Sequence, residues 1–285
     1  MKTVKVYILL LACQLETYFI VNHNLLFFSE LINSMPLIAE REALEELNQK
    51  LISTNINWES AGLRGVIQFA LAIAMITIKT TTIQFQSQNI TTEDEILIEA
   101  ALANKAFHFM AEVLFKNNCI HQEEFYVRYF HTLISDFILL MPVKVKELRS
   151  RADESMRLIQ AFQQEGIEPP MNLDNHFEYL MLMIAELYKE DSFKLNLAMD
   201  YWCHHTDTTH VSASAYISRL PSRQVALFKF IRLAGEILPA GLFVPYMKMI
   251  ASLASSPQAA RYAFNFFKPN GNCNNYKQNL FVICL

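Results

Sequence analysis

The sequence predicts an all-α protein, an irregular α-solenoid of stacked helix pairs with no expected strands. Apolar residues recur at steps of three and four in segment after segment, the spacing that gathers them on one side of a helix. No segment alternates convincingly at period two. Helix–break–helix recurs about every 25 to 45 residues without a strict sequence repeat, which favours stacked helices over a closed bundle. Only six glycines and nine prolines occur in 285 residues, few for a sandwich or barrel with many tight turns. Apolar residues make up 52% of the chain and charged residues 18%. That balance is richer in core than an average domain, so much of the surface is expected to be covered by a bilayer, a partner or further polypeptide.

Taken in order, the first stretch imitates a targeting signal. Lys2 and Lys5 precede an apolar run, and Leu10-Leu11-Ala12-Cys13 looks like a lipobox. The run from Val6 to Ala12 is short for a signal core, and the apolar pattern continues through Leu15, Phe19 and Leu25. A core helix is the preferred reading, with a signal or membrane anchor as the alternative. Leu37 to Leu51 reads as an amphipathic helix, with Leu37, Leu44, Leu47 and Leu51 inside and Glu40, Glu42, Glu45 and Glu46 outside. Leu63 to Ile78 is the most apolar helix. Its apolar run is about 20 Å long, short of a bilayer's hydrocarbon layer, which predicts a helix wrapped by protein. Lys79 to Thr92 reads as a loop and carries the sequon Asn89-Ile90-Thr91. Thr92 and Glu95 form a capping-box pattern that opens one long helix, with Ile96, Ala100, Ala103, Phe107, Met110 and Leu114 on its inner face.

The stretch from Gln122 to Glu154 holds two helical patterns meeting at Met141-Pro142, because proline ends one helix and can open the next. Tyr126, Tyr129, Phe130, Leu133, Phe137 and Leu140 form the first stripe. Val145, Leu148, Ala152, Met156 and Ile159 form the second, while Lys144, Lys146, Glu147, Arg149, Arg151, Asp153 and Glu154 are expected to stay in water. Gly166 to Pro170 is a stop. Leu173 to Tyr188 resumes with Phe177, Leu180, Ile184 and Leu187, and Phe193, Leu197 and Tyr201 belong to a shorter helix. Cys203 to Arg223 reads as the longest loop. A helix from Arg223 to Leu238 follows, Pro239 and Pro245 interrupt the chain before Met247 to Ala254, and Pro257 begins a last helix reaching Phe267.

The chemistry-bearing residues give no reaction centre. Net charge is −4, so no global field attracts nucleic acid. The five cysteines (Cys13, Cys119, Cys203, Cys273, Cys284) never fall into a C-x-x-C spacing, and free thiols are the expectation. Cys203, His204, His205, Asp207 and His210 are the best metal candidates, but they crowd into one segment instead of bracketing a loop, and a solvated polar loop is preferred. Cys119, His121 and Glu123 straddle a helix start, where Glu123 and Glu124 favour the positive helix N-terminus. Lys144, Lys146, Arg149 and Arg151 could touch phosphates, but Glu147, Asp153 and Glu154 nearly cancel them. His131, within an aromatic stripe, is expected to be a hydrogen-bonded core histidine, and Met181 and Met183 are expected in the core. No catalytic, cofactor or metal residue is assigned, and no partner-contacting residue can be named. A non-enzymatic protein is the expectation.

A resemblance adds to this reading. The stretches QEEFYVRYFHTLISDFILLMPVKVKELRSRADE (from Gln122) and HFEYLMLMIAELYKEDSFKLNLAMDYWC (from His176) resemble the largest scaffold nucleoporins of the inner ring of the nuclear pore complex. Arg223 to Lys268, with LP-x-x-x-x-x-PY-x-K-M from Leu238, is similar in the same order, and LRGVIQFALAIAM from Leu63 more loosely. The resemblance covers residues 58–271. It divides the chain into a divergent helical segment (1–57), the solenoid region (58–271) and a tail outside the family pattern (272–285), as in a piece cut from a longer reading frame. What it implies is a structural constituent of the inner ring, located at the nuclear envelope. Such a protein scaffolds linker and adaptor nucleoporins, with no small-molecule substrate, cofactor, direct nucleic-acid contact or membrane span. A generic helical-repeat adaptor in trafficking or assembly, or a membrane-anchored protein, are the alternatives.

Overall fold

The computed structural model describes residues 58, 60–82, 92–170, 173–202 and 222–268, and within them every regular element is helical. No helix among them is long and apolar enough to cross a membrane.

Helix α1 (Ala61–Thr82) starts where the Ser60 hydroxyl accepts the Leu63 N–H at 3.2 Å, a side-chain N-cap. Its residues 65–73 are buried without interruption, so protein wraps it on all sides, as its all-round apolar character requires. Helix α2 (Thr92–Ala103) packs along it.

The single long helix expected from Thr92 does not form. Lys105 adopts a left-handed backbone (φ 58°) and separates α2 from a short helix α3 (Ala106–Phe109), which widens into a π-turn over Met110–Leu114. The Phe115 N–H reaches back five residues to the Met110 carbonyl at 2.9 Å. One left-handed residue rotates everything after it, so a stripe drawn straight across Lys105 lands on the wrong face of α2. Ile96 is 48% exposed and Ala103 lies outside, while Leu97, Ile98, Ala101 and Leu102 are buried instead. Beyond the break, Phe107 and Met110 point inward as expected.

A four-residue helix α4 (Asn118–His121) leads to α5 (Glu124–Leu140) and α6 (Pro142–Gln164), which meet at Pro142. Phe130, Leu133 and Phe137 are buried, and so is every residue from 131 to 138. That enclosure arises because α1 covers one side of α5 and α8 (Ser222–Ala234) another. Phe137 meets Phe69 of α1 and Phe107 of α3 edge to face at 5.1 and 5.7 Å, and Phe69 meets Phe107 at 5.2 Å. These three rings tie the first half of the stack together. On α6, Val145, Leu148 and Ala152 are buried, and Met156 and Ile159 are half-buried.

Helix α7 (His176–Leu187) buries Phe177, Leu180, Ile184 and Leu187 completely. It lies against α3 and its π-turn on one side and against α9 (Ala240–Leu253) on another. A single 3₁₀ turn, Leu197–Tyr201, stands where a short helix was expected, and Phe193 falls outside it, 36% exposed. Helix α8 ends at Ala234, four residues before the expected Leu238. Pro245 does not interrupt α9 but lies buried inside it. Proline removes one i→i−4 bond, and the burial of Leu242, Tyr246, Met249, Ile250 and Leu253 on the same helix holds the turn together. Helix α10 (Pro257–Phe267) starts on Ser256, whose hydroxyl accepts the Ala259 N–H at 3.1 Å. The fold is thus the all-α, solenoid-type stack expected, its core running continuously from α1 to α10.

The loop expected over Lys79 to Thr92 is shorter at both ends, since α1 continues through Lys79 to Thr82 and α2 already includes Thr92. The expectations for residues 1–57, the sequon, the Cys203–His210 cluster and residues 269–285 fall outside the described residues.

Candidate functional site

In a stack of apolar helices, the places that carry information are the polar groups the stack is forced to bury. Two such knots stand out. The first centres on His131 of α5, 4% exposed. Its Nδ1 lies 2.7 Å from the Tyr188 hydroxyl, and its Nε2 lies 3.3 Å from Oδ2 of Asp200 in the 3₁₀ turn. Burial alone would raise the Asp200 carboxyl, but hydrogen bonds from His131 and Gln224 and the charge of Arg223 hold it below the usual carboxylate range. Burial pushes the Tyr188 and Tyr201 phenols well up, so both stay neutral. One turn further along α5, buried Asp136 accepts from Arg223 of α8 at 2.7 Å. The knot therefore joins α5, α7, the 3₁₀ turn and α8. His131 is the hydrogen-bonded core histidine its position within the aromatic stripe predicts. Beside it opens a shallow pocket lined by Val127, Tyr188, Asp191, Asn196, Met199 and Ser256.

The second knot gathers on the face of α6 that was expected to stay wet. Lys144 and Arg149 are buried. Lys144 bonds Glu99 of α2, and also Glu147 at 2.8 Å; Arg151 reaches Glu99 at 3.2 Å, Glu147, and Asp174 at 3.9 Å. Arg149 bonds Asp153, donates to the Glu236 carbonyl at 2.8 Å, and lies 5.7 Å over the Phe177 ring. Burial would raise the Glu99 carboxyl, but Lys144 and Arg151 bring it below its ordinary value. The Lys144 ammonium, which burial alone would depress, is raised by Glu147 and Glu99. These cations are committed to the protein's own carboxylates and carbonyls. Lys146 alone of the four remains exposed. Beside Glu147 and Asp153 of α6 itself, Lys144 and Arg149 are met by Glu99 of α2 and the Glu236 carbonyl of the α8–α9 turn, which a reading along α6 cannot see.

The remaining candidates do not converge. The His121 Nε2 lies 3.0 Å from the Phe115 carbonyl, Glu123 is exposed, and Glu124 pairs with Arg128 at 2.6 Å on the helix surface. The Cys119 side chain lies outside the described residues. Met181 and Met183 are fully buried in the core, as expected. Among the described residues, no group of three or more His, Cys, Asp or Glu could hold a metal ion. Sequence reasoning missed Asp200, Tyr188 and Glu99 as knot residues, and the signal that could have found them is a polar residue on an otherwise apolar stripe, as at His131.

What the arrangement does is lock helices in register. The pattern of the Nup192 family, described as nuclear pore complex scaffold, nucleoporins 186/192/205, matches residues 18–281. The chain belongs to this family. It is 39% identical to the nuclear pore complex protein Nup205 of Homo sapiens over 248 residues, covering 85% of this chain and 12% of that protein. It is 35% identical to Nup205 of Drosophila melanogaster over 236 residues, covering 82% of this chain and 11% of the relative. The chain thus spans about an eighth of the length of these two scaffold nucleoporins. Both knots and the Phe69–Phe107–Phe137 cluster lie within the family match.

Proposed function

We propose that this chain serves as a structural, non-enzymatic segment of a nuclear pore scaffold nucleoporin, located at the nuclear envelope. Within it, residues 58–271 form the solenoid unit. In this reading its partners are other pore subunits of the inner ring, linker and adaptor nucleoporins whose helices or short segments lie in grooves between stacked helices. The observation that carries the proposal is the family match over residues 18–281, joined to a stack in which the buried side chains of His131, Asp136, Lys144 and Arg149 pair with groups on neighbouring elements. A solenoid works by shape, because each helix pair is held only by its neighbours and the surface they present together is the functional object. The test is expression of the tagged chain within its longer polypeptide. Labelling of the nuclear rim and recovery of inner-ring subunits on affinity capture are expected. A diffuse signal with no pore subunits recovered would overturn the proposal.

A further inference from the structure

Helix α1 meets α2, α3 and α5 along one side. Gly65, Gln68, Phe69, Ala72 and Ile76 share that side, at steps of one, three and four residues. There the Gly65 backbone lies close to Ala101 and Asn104, and Gln68 accepts the Asn104 amide at 2.8 Å. Phe69 meets Phe107 of α3 and Phe137 of α5. The opposite side of the helix carries Leu63, Ile67, Ala70 and Ala74, spaced four, three and four residues apart. None of these contacts touches it, yet Ile67 is 3% and Ala70 2% exposed, with Leu63 and Ala74 half-buried. Such burial, half a turn away from those neighbours, requires a second layer of protein. Because it holds within a single chain, the layer belongs to this polypeptide.

The connection into α1 points to the segment that supplies it. Trp58 packs against the core and the Ser60 hydroxyl caps α1, so the chain enters the helix along the stack. Upstream, Leu37, Leu44, Leu47 and Leu51 recur at helical spacing, with Glu42, Glu45 and Glu46 away from their stripe. As a helix, Leu37 to Leu51 spans about 21 Å, against about 17 Å from Leu63 to Ala74, so the stripe covers the whole side. The chain from Leu51 to Ala61 reaches at most about 35 Å, ample for an antiparallel return. Leucines set against Ala70 and Ala74 place large side chains opposite small ones, the arrangement that fills an interface without voids. The stretches after α1 that lie outside the described residues offer no such stripe: 83–91 is Gln-rich, 203–221 is rich in Ser, Thr and His, and 269–285 is Asn-rich.

We propose that residues 37–51 form a helix that docks antiparallel on the Leu63–Ile67–Ala70–Ala74 side of α1, extending the stack on the N-terminal side of residues 58–271. The family match begins at residue 18 and so spans this segment. The inference requires only the helical stack, and its test is independent of where the protein resides.

The test is hydrogen exchange of the purified full chain, read by mass spectrometry. Backbone amides of 37–51 are expected to exchange at least ~tenfold more slowly than those of a free peptide of the same sequence. Leu47→Asp is expected to abolish that protection and to speed exchange in the first half of α1 while leaving α9 unchanged. Glu46→Lys, on the polar side of the segment, is expected to change neither. Where Leu47→Asp fails to fold, double-mutant cycles of Ile67→Ala with Leu44→Ala and with Leu47→Ala take its place. In at least one cycle the unfolding constant of the double variant is expected to depart ~threefold or more from the value the single variants predict. Amides of 37–51 that exchange like the free peptide, or additivity in both cycles, would overturn the inference. Protection of α1 that grows with protein concentration would give this side to a second copy and overturn it equally.

Discussion

At Gly65 the backbone of α1 approaches α2 so closely that a Cβ there would lie 2.9 Å from the Ala101 carbonyl and 3.0 Å from the Asn104 Cβ. The obstacle is backbone, which cannot turn aside, and Asn104 is already bonded to Gln68 of α1 at 2.8 Å. Gly65→Ala is therefore expected to destabilise the fold by about 1–3 kcal/mol, the usual cost of overpacking, as a lower urea midpoint at unchanged slope. His131 permits a second test at the same scale. Tyr188→Phe removes the hydroxyl from Nδ1 and leaves a buried ring nitrogen without its partner, at about 1–3 kcal/mol. Chemical denaturation of the variant measures it directly. A change within error would mean that water takes the hydroxyl's place.

At the scale of elements, α5, α6 and α7 were legible because their apolar stripes run unbroken at helical period, with Pro142 marking the junction. The stripe over Phe177, Leu180, Ile184 and Leu187 is buried as read. What failed did so for physical reasons. Lys105 is an ordinary residue in a left-handed conformation, and no local residue type announces it. Pro245 looked like a break because its local cost is visible and the tertiary burial that offsets it is not. Lys144 and Arg149 looked solvated because Glu99 and the Glu236 carbonyl reach them from 45 and 87 residues away. The polar knots, the nearest thing to a site, were thus legible only in His131. Arg149 gives the prediction belonging to this scale. Arg149→Ala leaves Asp153 and the Glu236 carbonyl short of a donor and uncovers Phe177, for a loss of about 3 kcal/mol. Arg149→Lys is expected to restore little, since a single ammonium cannot reproduce the two-pronged geometry of the guanidinium. Equilibrium unfolding of both variants decides the point.

For the whole molecule, the knots set a dependence on pH. Glu99, Glu147 and Asp200 sit below their ordinary values of 4.5, 4.5 and 3.8. The unfolded chain therefore takes up these protons before the folded one. The stability they contribute is present above about pH 4.5 and is lost as pH falls through the folded values. His176 adds an earlier, shallower decline, because burial depresses it below 6.5 and its neutral form is the one the fold prefers. Lys144 acts on the alkaline side, its raised value giving stability that is complete below 10.5 and is lost above it. Urea midpoints taken from pH 8 down to 3.5 should hold nearly level, dip gently below about pH 6.5 and drop steeply below about pH 4.5, and His176→Gln should flatten the first dip alone. A midpoint that rose on acidification would contradict this assignment of charges.

If residues 58–271 form the scaffold unit proposed above, they can stand in for the corresponding stretch of a pore relative. The most direct measurement replaces the matching segment of human Nup205 with residues 58–271 and follows the chimera in cells depleted of the native protein. A labelled nuclear rim is expected, with the chimera co-purifying with pore subunits. A chimera carrying Phe137→Asp, which places a charge against Phe69 and Phe107, is expected to lose both. A folded wild-type chimera that stayed diffuse and recovered no pore subunits would contradict the account.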